Sequence, residues 1–204
     1  MTAKLSGDHL TLFRGDRCLF KGLRFALNPG ELLLLEGPNG SGKTSLLRAI
    51  AGLLELESGT VRWNDIPMHR DRLALQNAMV WMSHKVGLKG DLTLVENLRY
   101  EAALRPQAEV EFASVLKKLG LNRLTRLPVR SLSAGQQRRV ALARLLLSSA
   151  MVWLMDEPTA NLDSEGRKLV AAVVQGHLAN GGMAIIAAHQ DFEVDMPVQR
   201  ISLQ

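Results

Sequence analysis

The sequence has little cysteine and no long apolar run. Cys18 is the only cysteine among 204 residues, which excludes a disulfide framework and a cysteine-based metal site. The apolar runs stay well short of the about 18 residues that a membrane-spanning helix needs. The first residues carry no hydrophobic signal segment, so the cytoplasm is the default compartment.

Aromatic residues are also scarce, and the charge is only mildly unbalanced. Phe, Trp and Tyr make up 4% of the chain, and 25 Lys and Arg exceed 20 Asp and Glu. The positive charges are scattered, and no basic tract carries the interleaved aromatic residues on which single-stranded nucleic acid stacks. We expect no nucleic-acid partner. The positive balance is compatible with work at an anionic membrane surface.

A glycine-rich loop lies between an apolar run at 32–35 and a helix-patterned stretch. It has the pattern G-x-x-x-x-G-K-[ST]; its residues, with the serine that follows, are Gly37, Pro38, Asn39, Gly40, Ser41, Gly42, Lys43, Thr44 and Ser45. Glycines let backbone N–H groups turn inward around an anion, and the following helix points its positive end there. Lys43 would reach the β- and γ-phosphates, and Thr44 would complete a Mg²⁺ shell. The loop predicts a nucleoside triphosphate site.

Two adjacent carboxylates end a second apolar run. Asp156 and Glu157 follow the run at 151–155. An acid at such a strand end commonly holds Mg²⁺ through water, and its neighbour could activate a water for in-line attack on the γ-phosphate. The alternative is a simple strand end, where acids and proline are common. With the phosphate loop in the same chain, we favour Asp156 as metal ligand and Glu157 as catalytic base.

The pattern of apolar residues predicts an α/β fold. Alternating stretches at 9–13, 19–27 and 60–64 predict an antiparallel β layer. More continuous apolar runs at 31–36, 79–82, 151–155 and 183–187 predict buried parallel strands. Helical stretches lie near 43–53, 134–149 and 164–179, between those strands. The alternation predicts a P-loop NTPase core with an added antiparallel layer.

The segment 92–150 breaks this alternation. Its stretches at 94–104 and 108–119 are helix-patterned with no strand between them. We therefore expect a single domain over 1–204, with an α/β catalytic core at 1–91 and 151–204 and an inserted helical subdomain at 92–150.

A third motif opens the helical stretch at 134–149. It reads Leu132, Ser133, Ala134, Gly135, Gln136. Ser133 and Gln136 form a capping box, and a capped, glycine-bearing helix start can bind an anion; alone, it could be an ordinary N-cap. Together with the phosphate loop and the D-E-P strand end, it resembles the signature L-S-G-G-Q of the ATP-binding-cassette (ABC) ATPases, with Ala134 replacing one glycine. The resemblance covers nearly the whole chain.

The resemblance implies further site residues. Asp163 matches the family's D-loop, His189 its switch histidine, and Phe13 the aromatic residue that stacks on adenine. Each has a structural alternative: Asp163 as a helix N-cap, His189 as a histidine at a strand end, and Phe13 as a core residue. The family binds ATP with Mg²⁺. The signature of one subunit faces the γ-phosphate held by the other, which implies a homodimer enclosing two ATP molecules.

His84 departs from the family pattern. ABC ATPases normally carry a glutamine in the loop after the strand at 79–82, where it contacts Mg²⁺ and the attacking water; here that loop carries His84. An imidazole is shorter and titrates near neutral pH. A glutamine-like role at the nucleotide is therefore in doubt. Because this loop contacts the membrane subunit in ABC transporters, we expect His84 to act more in coupling than in chemistry.

The stretches 83–89 and 92–98, with 131–144, resemble the ATPase subunits of the cytochrome c maturation system. This resemblance implies a peripheral subunit on the cytoplasmic face of the bacterial inner membrane. Such a subunit hydrolyses ATP to energise separate integral-membrane subunits, in haem export or in release of a haem-loaded chaperone. We expect no direct haem ligation, since no His/Cys/Met cluster is present. The alternatives are the ATPase of another exporter and a soluble ABC protein that acts on nucleic acid or the ribosome.

Overall fold

The computed structural model describes residues 3–104, 106–188, 192, 194 and 196–204. The strands in chain order are β1 (Leu5–Arg14), β2 (Arg17–Leu27), β3 (Leu32–Glu36), β4 (Ser58–Trp63), β5 (Ile66–Pro67), β6 (Met79–Met82), β7 (Val152–Asp156), β8 (Met183–Ala187) and β9 (Val198–Ser202). The helices are α1 (Lys43–Ile50), α2 (Arg72–Ala78), α3 (Leu94–Ala102), α4 (Phe112–Lys118), α5 (Ala134–Leu147) and α6 (Ser164–Ala179), with a 3₁₀ turn at Val129–Ser131.

The strands form two sheets. An antiparallel sheet has the order β2-β1-β4-β5, and a parallel sheet has the order β6-β7-β8-β3-β9. The predicted α/β fold with an antiparallel layer is confirmed. The edge strand β9 was not predicted. Its residues are only partly buried, so it lacks the continuous apolar run that is typical of a central parallel strand.

The parallel sheet separates two hydrophobic cores. Successive side chains of a strand point to opposite faces, and β3 shows the consequence. Leu32 and Leu34 pack with the core formed by α3, α4, α5 and α6. Leu33 and Leu35 pack with the core between the parallel sheet, α1 and the antiparallel sheet. Buried on both faces, β3 reads as an unbroken apolar run.

The helices between β6 and β7 share the first of these cores. Leu94 of α3 and Val140 of α5 belong to the same buried cluster as Leu34 and Trp153 of the parallel sheet. The division of the chain into a catalytic core and a helical subdomain at 92–150 therefore stays a prediction. Among the described residues, no helix combines the length and apolar character needed to cross a membrane.

The strand order positions the site. Because β6, β7, β8 and β3 run parallel, their carboxyl ends meet at one edge of the sheet. The loops after β3, β6 and β7 carry the phosphate loop, His84 and Glu157. Ligands of open α/β sheets bind at such an edge.

Candidate functional site

The phosphate loop connects the buried strand β3 to α1. Gly37, Gly40 and Gly42 have φ values of 139°, 80° and 105°, which residues with a Cβ rarely adopt. A Cβ at Gly37 would also collide with the Leu203 carbonyl oxygen. The glycines are therefore required by the backbone path itself, and the path leaves the N–H groups of the first turn of α1 without intrahelical acceptors.

Lys43 and Ser41 give this loop a cation and a spare hydroxyl. Lys43 is 6% exposed, and its Nζ donates to the carbonyl oxygens of Gly37 at 2.6 Å and Pro38 at 2.9 Å. Burial lowers the pKa of Lys43, while the carboxylates of Glu157 and Asp156 act in the opposite direction. Within the described part of the chain, the buried Ser41 hydroxyl has no hydrogen-bond partner. An orphaned buried hydroxyl costs about 1–3 kcal/mol, so this loop fits a phosphate group that would accept from it.

Thr44 and Asp156 come together from opposite parts of the sequence. The Thr44 hydroxyl donates to Asp156, at 3.1 Å from Oδ1 and 3.0 Å from Oδ2. Asp156 is 4% exposed. Burial raises the pKa of its carboxyl, while the bond from Thr44 opposes that rise. A buried carboxylate beside a hydroxyl is an oxygen donor set of the kind Mg²⁺ takes, so the residues present fit this cation.

Glu157 has an unusual backbone conformation. Its φ is 49°, in the left-handed region that costs a non-glycine residue about 1 kcal/mol or more. Its N–H donates to the Ala187 carbonyl oxygen at 2.8 Å, and its own carbonyl oxygen accepts from Arg138 Nη2 at 2.8 Å. Strain of this kind persists only where the surrounding structure holds it, and it clusters at functional sites.

His84 lies against the Glu157 side chain. Its Nδ1 is 3.3 Å from Glu157 Oε2, with 57% of the imidazole and 27% of the carboxylate side chain exposed. The contact follows from the neighbouring positions of β6 and β7, whose carboxyl ends carry the two residues. The imidazole therefore contacts the carboxylate that is expected to act as the catalytic base.

The signature motif forms the start of α5. Ser133 and Gln136 make the predicted capping box: Gln136 N donates to Ser133 Oγ at 3.2 Å, and Ser133 N donates to Gln136 Oε1 at 2.9 Å. Ser133 and Ala134 are exposed. A Cβ at Gly135 would meet only Leu162 Cδ2, at 3.6 Å. The capped helix start therefore presents an accessible positive end, as an anion site requires.

The structure describes two of the three remaining predicted residues, Asp163 and Phe13. Asp163 is the N-cap of α6, where its Oδ1 accepts from Gly166 N at 2.7 Å; its D-loop role stays a prediction. Phe13 is 43% exposed, so the alternative that it is a core residue is wrong. A Cβ at Gly42 would meet Leu19 at 3.2 Å, so the β1–β2 hairpin that carries Phe13 lies beside the phosphate loop. His189 lies outside the described residues.

Two arginines of α5 that contact the site loops were not among the predicted site residues. Arg138 is 4% exposed, and its guanidinium donates to the carbonyl oxygens of Ser83, His84 and Glu157. Arg144 pairs with Glu101 at 3.0 Å and donates to the Val86 carbonyl oxygen at 2.8 Å. Arg138 precedes the buried Ala141 and Leu145 by three and seven positions, on the same helix face, but buried residues lie almost all round α5, so this spacing did not single it out.

Arg144 and Glu101 also line a groove of about 500 Å³. The three large apolar side chains that are most exposed among the described residues line it: Leu53 at 63%, Leu73 at 67% and Leu104 at 63%. Trp81 and Met79 of β6 also line it. Exposed apolar side chains grouped in this way make the groove a candidate contact surface.

The chain matches the family model for ABC transporters over residues 20–160. Three curated relatives share the name cytochrome c biogenesis ATP-binding export protein CcmA. The protein from Methylococcus capsulatus is 45% identical, with 94% of each chain covered. The protein from Yersinia pestis is 44% identical over 98% of this chain and 92% of its own. The protein from Vibrio cholerae is 42% identical over 96% of both.

Solved structures give the same fold at lower identity. An ABC transporter ATP-binding protein from Pyrococcus furiosus superposes with a TM-score of 0.85 at 23% identity, covering 98% of this chain and 97% of its own. A bacterial Atm1-family ABC exporter with ATP bound also reaches a TM-score of 0.85, at 19% identity, covering 100% of this chain and 37% of its own.

Proposed function

The chain belongs to the ABC transporter family of ATP-binding proteins, and we propose that it is the ATP-hydrolysing subunit that energises a separate membrane complex in cytochrome c biogenesis. The observation that carries the ATPase part is the contact of Thr44 with Asp156 beside Lys43 and Glu157. The biogenesis part rests on the near-full-length likeness to the CcmA proteins.

The chemistry follows from the arrangement of the residues. The phosphate loop binds the β- and γ-phosphates through its N–H groups, and Lys43 leaves its two carbonyl partners for the phosphate oxygens. Thr44 and Asp156 would hold Mg²⁺, which when bound neutralises charge that develops on the phosphates. Glu157 orients a water in line with the γ-phosphate and accepts its proton. His189 would contact the γ-phosphate.

Two copies would complete two sites. Ser133, Ala134 and Gly135 form a capped helix start whose first two residues are exposed, and such a start favours an anion. In the proposed homodimer, this start faces the γ-phosphate bound by the partner copy, with Gln136 holding the cap. Asp163 lies near the same face, since Leu162 approaches Gly135, and Phe13 stacks on adenine.

The exposed groove is the proposed contact with the membrane subunit. Leu53, Leu73 and Leu104 would be covered by an apolar segment of that subunit. The groove thus adds residues of 51–81 to the loop that carries His84, which the family resemblance implies to lie at the membrane subunit. Its wall includes Arg144, which binds Val86 of the loop that carries His84. The protein would therefore act on the cytoplasmic face of the inner membrane, as a peripheral subunit.

A strain that carries Lys43→Ala tests this proposal. The complex should assemble and be recovered with the membrane fraction, but holo-cytochrome c should be absent, because the phosphates lose their counter-ion. Lys21→Ala, in the exposed part of β2, is the matched control and should support normal cytochrome levels. Normal c-type cytochromes in the Lys43→Ala strain would overturn the biogenesis assignment. Lack of Mg²⁺-dependent ATP hydrolysis by the wild-type complex would overturn the ATPase mechanism.

A further inference from the structure

We propose that Arg138 is a positioning residue that holds Glu157 and His84 in their catalytic arrangement and connects both to the signature helix. This inference rests on the proposed role of Glu157 as the base. Its starting point is a buried guanidinium whose identified acceptors are backbone carbonyl oxygens of the two site loops.

The contacts of Arg138 join three segments of the chain. Nη2 donates to the Glu157 carbonyl oxygen at 2.8 Å, and Nη1 donates to those of His84 at 3.2 Å and Ser83 at 3.4 Å. Arg138 itself belongs to α5 and is 4% exposed. Arginine suits this task because its planar fork presents several donors in fixed directions. One side chain therefore sets the spacing between the loop after β6 and the loop after β7.

Arg138 also supports the unusual backbone conformation of Glu157. At a φ of 49°, the residue is in a conformation that a non-glycine residue leaves unless it is held. Its N–H donates to the Ala187 carbonyl oxygen, and its own carbonyl oxygen accepts from Ala160 N at 3.1 Å and from the charged Arg138 Nη2 at 2.8 Å. Loss of the Arg138 bond would leave this carbonyl oxygen with the longer, uncharged bond from Ala160, so the peptide would be held less firmly and the carboxylate positioned less precisely for the attacking water.

The same guanidinium keeps His84 beside Glu157. Arg138 binds the carbonyl oxygen of His84, and the imidazole of that residue lies 3.3 Å from the Glu157 carboxylate. Arg138 therefore holds the backbone of His84, and the His84 imidazole contacts the side chain of Glu157. Arg138 would therefore act through these residues, whose backbone carbonyl oxygens are its identified acceptors.

The position of Arg138 on α5 adds a link to the partner copy. Ser133, the N-cap of α5, precedes Arg138 by five positions, about 7.5 Å along the helix axis at 1.5 Å per residue. A displacement of the signature end when it meets the partner's nucleotide is therefore carried directly to the guanidinium. Closure of the dimer would set Glu157 through this side chain.

The test compares steady-state kinetics and unfolding temperature of the full-length chain with those of three variants. Arg138→Met keeps the apolar stem and removes the fork; kcat should fall by about a hundredfold, the loss that a misplacement near 1 Å can cause, while the KM for ATP changes less than threefold. Arg138→Lys keeps the charge without the fork and should also lose at least tenfold in kcat. Arg139→Met removes the neighbouring guanidinium, which binds only Leu119 among its identified acceptors, and should keep wild-type kcat.

A double variant separates positioning from a general loss of structure. If Arg138 acts through Glu157, Arg138→Met should slow single-turnover hydrolysis no further in a Glu157→Gln background, because residues that act as one unit are not additive. Fully additive losses, a wild-type kcat in Arg138→Lys, or a KM that rises as much as kcat falls would each overturn the proposal. Wild-type Mg²⁺-dependent turnover in the same assay tests the proposed function independently of Arg138.

Discussion

The Thr44 hydroxyl donates to both carboxylate oxygens of Asp156, at 3.1 and 3.0 Å, across 112 positions of sequence. The contact joins the first turn of α1 to the end of β7, two strands away from β3 in the parallel sheet. Lys43 precedes Thr44 and Glu157 follows Asp156. The contact therefore brings Lys43, which is expected to bind phosphate, and Glu157, the candidate base, to the two ends of one Thr44–Asp156 hydrogen bond.

Replacement of the candidate base should separate binding from hydrolysis. Glu157→Gln keeps the shape of the side chain and removes its capacity to accept a proton. Nucleotide affinity should be retained, and kcat should fall by about a hundredfold or more. The variant should also accumulate as an ATP-bound dimer on gel filtration. Glu165→Gln, on the exposed first turn of α6, is the control and should match wild type; a normal rate in Glu157→Gln would remove Glu157 as the base.

A negative charge in the signature should block dimer closure. Gly135→Asp would place a carboxylate where the partner's γ-phosphate is expected, and like charges repel. Gly135→Ala is the steric control, since a Cβ there meets only Leu162 at an ordinary 3.6 Å. ATP-dependent dimerisation should be lost in the first variant and kept in the second.

Mixed dimers then test whether the site is shared between copies. A Gly135→Asp chain combined with a Lys43→Ala chain should form one intact composite site out of two. ATPase activity of the mixture should therefore exceed that of either variant alone. Mixtures with no gain in activity would contradict a signature that acts on the partner's nucleotide.

Changes at His84 should distinguish coupling from chemistry. His84→Gln restores the family's usual residue and keeps a donor that can reach Glu157, whose Oε2 lies 3.3 Å from the imidazole. Basal ATPase activity should stay within about threefold of wild type, because the base itself is unchanged. His84→Ala removes the contact and should reduce activity further. A loss in His84→Gln as large as that of Glu157→Gln would show that the imidazole takes part in the chemical step.

A charge in the groove should uncouple the subunit from its membrane partner. Leu73 is 67% exposed, so Leu73→Asp should fold normally and keep basal ATPase activity. It should fail to co-purify with the membrane fraction, because an unpaired carboxylate opposes burial at an interface. Ile66→Asp, an exposed apolar position outside the groove, is the control. Unchanged co-purification of Leu73→Asp would place the contact elsewhere.

Acid should weaken the fold through His177. Its ring stacks on Trp153 with centroids 3.8 Å apart, and Nε2 binds the carbonyl oxygens of Met151 at 3.1 Å and Met183 at 3.2 Å. Burial lowers the pKa of His177 from 6.5 to about 4. The unfolded chain therefore takes up a proton first as pH falls, and about 3 kcal/mol of the free energy of unfolding should be lost between pH 6.5 and 4.

The measurement is urea unfolding across that pH range. His177→Gln keeps a donor for the two carbonyls and cannot titrate, so its stability should depend less on pH than that of wild type. His69→Gln, at an exposed position, should leave the wild-type slope unchanged. An equal slope in His177→Gln would assign the acid sensitivity to other groups.

The local motifs could be predicted because their physics is local. A phosphate loop needs glycines with positive φ between a strand and a helix, and the order of residue types specifies that path. The capping box of Ser133 and Gln136 is likewise a contact over three positions. The alternating cores on β3 follow from its unbroken apolar run. The exposed state of Phe13 did not follow, since an aromatic residue in a strand can face either side.

The sequence by itself determined the residue types that are available here: a phosphate loop, a candidate magnesium ligand, a candidate base and a capped helix start. Only the tertiary structure decided which of these residues meet. The order of the parallel strands brings His84 to Glu157, and the packing of α5 buries Arg138 against carbonyl oxygens of both site loops. Every residue has a backbone carbonyl, so no residue pattern predicts which of these carbonyl oxygens a distant guanidinium will bind. That choice depends on how the helices pack on the sheet.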